Sequence, residues 1–511
     1  MAASFVRGLG FWAVLSVVLG ACSANPGESE GLGEASAELT TGQSFLVSFN
    51  GGSIPSNADA IVGAAGGSIA TRYKNLGLVL AKSSSSGFAT KLRSDSRVEG
   101  VGLSTAVSSS LVPRGTTDER HEPHSGGHAG PDPLSNRQWD MDQIKAPAAR
   151  AISPGKPSVL VGVLDSGVDI THPDLAGQVV ASASASCIGG IPNTDSAVWA
   201  NDNLGHGTHV SGIIAGKKNG VGIVGVAPGV KLARVKLAVD DPNDPNFGLV
   251  YADAFVCALD WAIDHHYDVM NASLTIDPFT APIDDIFCND QPDRAAIVRM
   301  VRRAVNATNA KRIPLVASTA NSFMDLSKLK SETTGADCKM IPVQLPRVIG
   351  VSAVGVTKQL AWYSNYGQGV VDLAGPGGDD LVPYPPVTDT AASGQVLSSI
   401  PPNSLFYQFA ADWNGQVQDC SSGSCATYAY LFGTSMAAPH VTGVAALAIS
   451  KYGRMPPELL LGVLSATATR LPCPPSPYDP GNTGQPATCE SRGFRNNFYG
   501  AGEVNALAVV Q

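Results

Sequence analysis

The stretch Val159-Leu160-Val161-Gly162-Val163-Leu164-Asp165-Ser166-Gly167 decides the fold class of this chain. Its uninterrupted run of apolar and small residues is typical of a strand that is buried on both faces of a parallel sheet. Similar runs recur at 267–271 and 313–318, and helical periodicity is evident at 253–265, 294–305 and 435–451. Strands that alternate with helices predict an α/β fold with a mostly parallel central sheet covered by helices.

Composition excludes several classes of protein. The 511 residues carry 34 Lys and Arg against 43 Asp and Glu, a net charge of −9, which is wrong for a basic nucleic-acid binder. Only 15% of residues are charged, too few for a coiled coil. After residue 22 no apolar run approaches the roughly 20 residues that a membrane helix needs, so we expect a soluble body. The length allows about three domains.

The first 22 residues have the pattern of an export signal. Arg7 supplies a positive charge, residues 9–18 are apolar, and Leu19-Gly20-Ala21-Cys22 is a small-residue cleavage site. The same four residues resemble a bacterial lipobox, in which the cysteine is lipidated; the alternative is an ordinary secretory signal with an incidental cysteine. Either interpretation predicts an exported protein, secreted or held at the cell envelope, and the lipobox interpretation alone adds a membrane contact, through a lipid on Cys22.

Composition also divides the remaining chain. Residues 23–43 are small and polar, as in a flexible tether. Residues 44–110 predict a small α+β unit, with strands at 45–49 and 76–80 and helices at 58–65 and 87–92. Residues 111–138 indicate an exposed linker. The α/β domain then occupies 139–511, and 276–292, 379–430 and 471–497, rich in Pro, Gly, Asp and Cys, predict surface insertions.

Eight cysteines follow Cys22, and an exported chain can oxidise them. They allow four disulfides, whose pairing the sequence alone does not fix. Cys420 with Cys425 and Cys473 with Cys489 are near neighbours and are our first pairs. The chain contains no Cys-x-x-Cys pair, which argues against a structural zinc site.

Three polar residues stand beside glycines where apolar runs meet turns or helices. Asp165 closes the first strand, His206 lies in Gly205-His206-Gly207-Thr208-His209, and Ser435 opens a long apolar helix in 433–440. Singly they have ordinary explanations: a turn residue, a metal-binding histidine pair, and a helix cap. Together they supply the nucleophile, the imidazole base and the orienting acid that acyl transfer by serine requires. The order Asp, His, Ser is that of the subtilisin type.

Residues from about 139 onward resemble the subtilisin family of serine proteases, also called subtilases or peptidase family S8. The resemblance rests on the segments 163–169, 206–212 and 433–440, and on Gly225-Val226-Ala227-Pro228, Ser273-Leu274 and the closing 499–506. It implies a subtilisin-like three-layer fold and an endopeptidase acting on polypeptides. Residues 44–110 resemble the family's propeptide, which implies a ferredoxin-like prodomain that assists folding, inhibits the enzyme intramolecularly and is removed by self-processing.

The resemblance also assigns roles. Ser435 would be the nucleophile, His206 the base and then the acid, and Asp165 the partner that orients the imidazole. Asn321 matches the oxyanion asparagine, although the family usually has Gly where this chain has Ala320.

The predicted substrate strand is Ser273-Leu274-Thr275, where Gly is usual in third place. Thr275 and Ala320 would face each other across the pocket for the side chain that precedes the scissile bond, so we expect a narrow pocket.

A structural calcium ion is implied too, with Asp174 and Asn219 as its side-chain ligands; the alternative is that both are turn residues. No organic cofactor and no nucleic acid is expected. Two other functions stay open: a catalytically silent subtilase fold that acts as a surface-binding lipoprotein, and a general esterase that uses the same acyl chemistry.

Overall fold

The computed structural model describes residues 42–104, 106–110, 132–240, 247–276, 287–288, 292–331, 334–381, 394–413, 415–421, 423–482 and 484–511. The predicted signal peptide with Cys22, the tether up to residue 41 and linker residues 111–131 lie outside the described residues. Within the described part of the chain, no helix is both long and apolar enough to cross a bilayer.

The region predicted to be the prodomain contains a four-stranded antiparallel sheet with two helices. Its elements are β1 (Gln43–Phe49), α1 (Ala58–Ala65), β2 (Ser68–Tyr73), β3 (Leu78–Ser83), α2 (Phe88–Ser94) and β4 (Val98–Leu103), and β5 (Ala106–Ser110) follows. The strand order β2-β3-β1-β4 with this βαββαβ connectivity is that of a ferredoxin-like fold, as predicted.

Successive side chains along each strand point to opposite faces of this sheet, and both faces carry apolar residues. Phe45, Val47 and Phe49 of β1 belong to a core shared with α1 and α2. Leu46 of β1 and Leu80 of β3 point the other way and join the core of the catalytic unit. The prodomain sheet is therefore packed between its own helices and the catalytic unit.

The catalytic unit contains the remaining helices and strands. In chain order they are α3 (Trp139–Gln143), α4 (Ala146–Ile152), β6 (Leu160–Asp165), β7 (Ala185–Ser186), α5 (Ser196–Trp199), α6 (His206–Ala215), β8 (Lys231–Lys236), β9 (Val239–Asp240), β10 (Phe247–Tyr251), α7 (Ala252–Asp264), β11 (Val269–Ala272), β12 (Phe287–Cys288), α8 (Pro292–Ala310), β13 (Leu315–Ser318), β14 (Cys338–Lys339), β15 (Val348–Val354), β16 (Leu373–Pro376), β17 (Val396–Ser399), α9 (Leu405–Phe409), β18 (Gln416–Asp419), β19 (Ala426–Leu431), α10 (Thr434–Tyr452), α11 (Pro457–Thr467), β20 (Ser491–Arg492), β21 (Arg495–Asn496) and α12 (Ala506–Val510).

A seven-stranded parallel sheet forms the centre, in the order β16-β15-β13-β11-β6-β8-β7. Helices α6 and α10 pack against each other and on this sheet, and α7 and α8 form the other helical layer. The predicted α/β class and its three layers are confirmed. Residues 434–450 of α10 are buried, which explains why this part of its sequence is largely apolar on every side.

Two of the predicted surface insertions contribute to the core instead. In 379–430, β17 and β19 are buried and pair in a second sheet, β17-β19-β18, against which α6 packs. The two serines of β17 made this strand look polar in the sequence. Ser398 can be buried because its hydroxyl finds a partner: Ser398 Oγ donates to the His209 carbonyl at 2.7 Å. In 471–497, Leu471 and Tyr478 pack on Phe498 in a small separate core.

The end of the predicted linker is also not exposed. Asp132, Leu134 and Gln138 are buried, with 1%, 7% and 1% of their surface accessible. Asp132 Oδ1 accepts hydrogen bonds from the backbone N–H groups of Asn219 and Gly220, both at 2.9 Å. The catalytic unit therefore includes residues from 132 onward. A short polar segment can be buried in this way when its side chains accept the hydrogen bonds of a loop's backbone N–H groups.

Four disulfides join the eight cysteines of the catalytic unit. Cys420–Cys425 and Cys473–Cys489 confirm the two pairs chosen from proximity. The other two are Cys187–Cys257 and Cys288–Cys338, which link residues 70 and 50 positions apart.

Residues 503–510 close the catalytic unit against its beginning. Gln143 Nε2 donates to the buried Glu503 Oε1 at 2.6 Å, and the Ala506 N–H donates to the Ile144 carbonyl at 2.9 Å. Helix α12 packs on α4.

Candidate active site

The predicted site segments meet at one edge of the central sheet. Asp165 ends β6, Ser273 follows β11, and Asn321 follows β13 by three residues. These strands are parallel neighbours in the order β13-β11-β6, so their carboxyl ends lie side by side. Crevices at this edge are the usual ligand sites of open α/β sheets.

Asp165 and His206 are in direct contact. His206 Nδ1 lies 2.7 Å from Asp165 Oδ1, and both side chains are buried. The Ser166 N–H also donates to Asp165 Oδ1, at 2.8 Å. Burial raises the pKa of Asp165, but its interactions with His206 and Arg234, together with its backbone hydrogen bond, hold the pKa below its usual value. An ionised Asp165 is therefore available to orient the imidazole.

A buried polar network holds the Asp165 loop to the start of α6. Ser166 Oγ donates to Asp202 Oδ1 at 2.6 Å and accepts from the Gly207 N–H at 3.0 Å. Asp202 Oδ2 accepts from both the N–H and the hydroxyl of Thr208, at 2.8 and 2.5 Å. Asp202 thereby fixes the orientation of the helix that carries His206. Asp202 was missed by sequence reasoning, although its place four residues before His206 was a signal.

Ser435 lies in the first turn of α10, where backbone N–H groups lack helical partners and the helix dipole favours negative charge. Its hydroxyl donates to the Ser273 carbonyl at 3.2 Å, and Ser273 Oγ donates to the Ser435 carbonyl at 2.7 Å. His206 Nε2 has no hydrogen-bond partner among the described residues. In this conformation the Ser435 hydroxyl is held by Ser273.

Asn321 is oriented by the residue before Ser435. Its Oδ1 accepts from both the N–H and the hydroxyl of Thr434, each at 2.9 Å. With the oxygen engaged in this way, Nδ2 is left buried and without a partner in the described part of the chain. A buried amide donor without an acceptor is costly in a resting protein, and it is the group that a developing oxyanion would satisfy.

Ala320, just before Asn321, has a φ of 67°, in the left-handed region. A residue with a side chain there costs about 1–2 kcal/mol relative to ordinary conformations. Glycine adopts this conformation without that cost, and this chain places a methyl group there.

Residues 273–275, predicted as the substrate strand, follow β11 directly but lie outside it, because β11 ends at Ala272. Ser273, Leu274 and Thr275 are buried, with 0–3% of their surface accessible. The next N–H, of Ile276, donates to the Ile341 carbonyl at 2.8 Å. Strand β10, which precedes α7 and β11 in the sequence, pairs with β5, the strand that follows the predicted prodomain sheet.

The predicted calcium ligands lie close together, but only one is buried. Burial raises the pKa of Asp174 to about 7, despite hydrogen bonds from Tyr428 and Asn219. Asp174 Oδ1 has no partner among the described residues. Asn219 Oδ1 accepts from the Val221 N–H at 3.0 Å, which leaves its second lone pair. The buried Asp132 interacts electrostatically with Asp174, so a second carboxylate, missed in the sequence, belongs to this region.

Comparison with known proteins identifies the family. The model of the subtilase family, Peptidase_S8, matches residues 156–502, more than half of the chain. The chain belongs to the subtilase family.

Among curated subtilases, fervidolysin from Fervidobacterium pennivorans is 31% identical over 340 residues, 66% of this chain but only 41% of fervidolysin. Subtilisin BL from Lederbergia lenta is 29% identical over 373 residues, covering 73% of this chain and 98% of the relative. The chain thus spans less than half of fervidolysin and nearly all of subtilisin BL.

Solved structures show the same fold. The epidermin leader peptide processing serine protease from Staphylococcus aureus superposes with a TM-score of 0.65 at 19% identity, covering 92% of this chain and 97% of that one. Fervidolysin, described as a keratinolytic enzyme related to subtilisin, gives a TM-score of 0.60 at 25% identity, with 92% and 61% coverage.

Proposed function

We propose that this subtilase is a serine endopeptidase that hydrolyses peptide bonds through an acyl-enzyme. The observation that carries the proposal is a set of three buried groups on the elements that adjoin the start of α10, where Ser435 lies. These are Asp165 bonded to His206, the unpaired His206 Nε2, and the unpaired Nδ2 of Asn321. They match the needs of acyl transfer one by one: an oriented base, an acceptor for the serine proton and a donor for the oxyanion.

The proposed steps follow from these positions. His206 Nε2 takes the proton of the Ser435 hydroxyl as Oγ attacks the substrate carbonyl, and Asp165 stabilises the resulting imidazolium. Asn321 Nδ2 and the Ser435 N–H donate to the oxyanion. His206 then gives the proton to the leaving amine, and water repeats the sequence to release the acid. The missing hydrogen bond between Ser435 and His206 fits an unliganded state, since such bonds often form only with substrate.

We further propose that the prodomain inhibits this site until it is removed by self-processing. In addition to the apolar packing of its sheet, the prodomain makes specific polar contacts with the catalytic unit. Tyr73 donates its hydroxyl proton to the Gly190 carbonyl at 2.7 Å, and Asn75 contacts Asp260 and Asp264 of α7 at 3.1 and 2.8 Å. These contacts support a docked inhibitor rather than a loosely tethered segment.

The strand after the prodomain sheet supports the same proposal. β5 pairs antiparallel with β10 over five residues, from Ala106 opposite Tyr251 to Ser110 opposite Phe247. Substrates that add a strand to an exposed sheet edge use main-chain hydrogen bonds of this kind. We infer that β10 offers a second substrate edge in addition to residues 273–275 and that β5 occupies it, so the enzyme is blocked while β5 stays there.

The experiment is to replace the nucleophile in the full chain. Ser435→Ala should abolish proteolysis and leave the prodomain joined to the catalytic unit, because the mutant cannot cut itself. A fluorophosphonate probe should label wild type and not the mutant, and mass spectrometry of the termini should find cleavage between about residues 105 and 138 only in wild type. If the probe labels the wild type but no peptide is cleaved, the protein is an esterase. If the probe does not label the wild type, the protein is a silent binding protein. Normal processing of the Ser435→Ala mutant would show that a separate protease carries out maturation.

We also propose a narrow pocket for the side chain before the scissile bond. Thr275 and Ala320 replace the glycines usual in this family, and each adds atoms to a facing wall. A close-packed pocket does not absorb extra methyl groups without losing room for a ring. Small and medium uncharged residues such as Ala, Val or Leu should therefore be preferred over Phe and Tyr.

A calcium ion is proposed near Asp174. The buried, unpaired Asp174 oxygen and the neighbouring Asp132 fit a hard cation with oxygen ligands, and Asn219 has a lone pair to add. No group of three His, Cys, Asp or Glu side chains in the described residues forms a metal cluster, so backbone oxygens would have to complete the shell. The ion would stabilise the loop and takes no part in the chemistry.

Export is proposed from residues 1–22 and from the disulfides, which suit an oxidising compartment. If Cys22 is lipidated, the lipid is on the prodomain side of the maturation site. Processing would then free the catalytic unit from the membrane, and active, processed enzyme in the membrane fraction would contradict the idea.

A further inference from the structure

Arg234 is a fully buried arginine beside the proposed catalytic aspartate. It lies on β8, which pairs in parallel with β6 so that Arg234 is opposite Val163. Val163 and Asp165 point to the same face of β6, and a residue paired with Val163 shares that face. The side chain of Arg234 is therefore on the Asp165 side of the sheet, and none of its surface is accessible.

The guanidinium is placed between groups of the site. Nη2 donates to the Gly167 carbonyl, two residues after Asp165. A Cβ atom at Gly207, just after His206, would overlap both Nη2 and the Gly167 oxygen. Gly207 thus leaves room for the Arg234 guanidinium. The guanidinium lies between the Asp165 loop and the first turn of α6.

Two buried carboxylates interact electrostatically with this cation. Burial lowers the pKa of Arg234, and the charges of Asp165 and Asp202, with Tyr267, act in the opposite direction. Arginine keeps its proton over the working range of an enzyme. Arg234 in turn helps to lower the pKa of Asp165. Nε and Nη1 have no hydrogen-bond partner in the described residues, so much of the interaction is between charges at a distance.

We propose that Arg234 is a positioning residue for the proposed reaction: it holds residues 165–167 against the His206 turn and balances the buried negative charge of Asp165 and Asp202. A buried unpaired charge is strongly unfavourable, and two carboxylates with one cation are easier to keep ionised than two alone. The inference rests on the proposed function, since it assigns Arg234 to the machinery of that site.

The test compares three substitutions in the full chain. Arg234→Met removes charge and donor, Arg234→Gln removes the charge but keeps a donor, and Arg234→Lys keeps the charge. Each preparation is titrated with a fluorophosphonate probe so that rates refer to competent sites. Arg150→Met is the matched control. Arg150 is a partly buried arginine that also donates to carbonyls, at Val224 and Gly225, and its charge acts on Asp140, Asp142 and Asp132 rather than on Asp165 or Asp202.

We expect Arg234→Met and Arg234→Gln to lower kcat by about 10–100-fold with KM within about twofold, because misplacement of the base affects the transition state. Removing a buried positive charge makes the site hold protons more tightly. The acid limb of the kcat profile should therefore move up by about 1 pH unit. Arg234→Lys should keep the wild-type limb and recover part of kcat.

Several results would overturn the inference. Neutral variants that match wild type per titrated site in both kcat and acid limb would show that Arg234 only fills space. An equal shift of the limb in Arg150→Met would show a general effect of destabilisation. If Arg234→Lys accumulates and both neutral variants do not, the charge serves folding rather than the reaction. A wild-type chain that neither reacts with the probe nor cleaves peptides would refute the proposed function instead.

Discussion

Substitution of Asn321 separates two roles that the structure gives to one side chain. Its Oδ1 accepts two hydrogen bonds from Thr434, and its Nδ2 has no partner among the described residues. Asn321→Ala removes both functions. Asn321→Asp keeps an oxygen for Thr434 but presents a charged acceptor to the oxyanion. Thr434→Val leaves the amide in place with one of its two holding bonds.

The expected magnitudes follow from these contacts. Loss of one oxyanion donor costs about 2.7–4 kcal/mol, or about 10²–10³ in kcat, a range for which subtilisin is the reference case. Asn321→Ala also leaves two Thr434 donors unsatisfied, which costs stability of about 1–3 kcal/mol. Asn321→Asp should lose at least as much kcat as Asn321→Ala but less stability. Thr434→Val loses one bond, about 0.5–1.5 kcal/mol, and should lower kcat by no more than about tenfold.

The assay is hydrolysis of a chromogenic peptide amide at saturating substrate, corrected for active sites with a fluorophosphonate probe. Stability is measured by thermal melting in the Ser435→Ala background, where self-cleavage cannot interfere. KM should stay nearly constant, since the bond forms mainly to the developing oxyanion. A loss in kcat below about threefold for Asn321→Ala, far under the range for an oxyanion donor, would mean that the oxyanion lies elsewhere.

Three further predictions concern the pocket, the cation and the prodomain. A peptide library should favour small and medium residues over Phe and Tyr by about 10–200-fold in kcat/KM, and Thr275→Gly or Ala320→Gly should shift the preference toward aromatics; Phe or Tyr first in wild type would contradict this. Calcium at about 100 times its Kd should raise Tm by about 5 °C, an effect that EDTA and Asp174→Asn should each remove; a Tm indifferent to calcium would leave Asp174 an ordinary buried acid. Burial raises the pKa of Asp260 to about 6 in the folded chain, against about 3.9 in an unfolded chain. The folded state therefore binds the Asp260 proton more tightly than the unfolded state, so the free energy of unfolding should fall as pH rises from about 4 to 6. Differential scanning calorimetry of the Ser435→Ala chain should find that decline reduced by Asp260→Asn, and an unchanged pH dependence would argue against the assignment.

Much of the architecture could be predicted because its signals are local. The run 159–164 is buried on both faces, and α7, α8 and α10 carry clear helical periodicity, so each element was predictable from neighbouring residues. The disulfides divide in the same way. Cysteines 5 and 16 residues apart could be paired by proximity, whereas pairs 70 and 50 apart depend on how the sheet brings loops together.

The missed features all depend on tertiary contacts. β17 carries two serines and β19 lies in a segment rich in Gly and Cys, so their composition indicated surface, although hydrogen bonds to α6 allow them to be buried. An arginine in a strand such as Arg234 ordinarily indicates an exposed face, and only the register against β6 reveals its partners. The residues of the proposed site were recognisable from their motifs, but the contact between Asn321 and Thr434 was not, because 113 residues separate them.

The closure of the catalytic unit by residues 503–510 has a consequence for the order of events during synthesis. Gln143 and Ile144, among its first folded residues, find their partners at Glu503 and Ala506, about 360 residues later. Helices α3 and α4 therefore lack part of their packing until almost the whole unit has been delivered. In a chain that is synthesised from its amino terminus and exported, as proposed here, completion of the catalytic unit would wait for the last residues. A protease timed in this way would threaten neither the ribosome that makes it nor the channel that carries it.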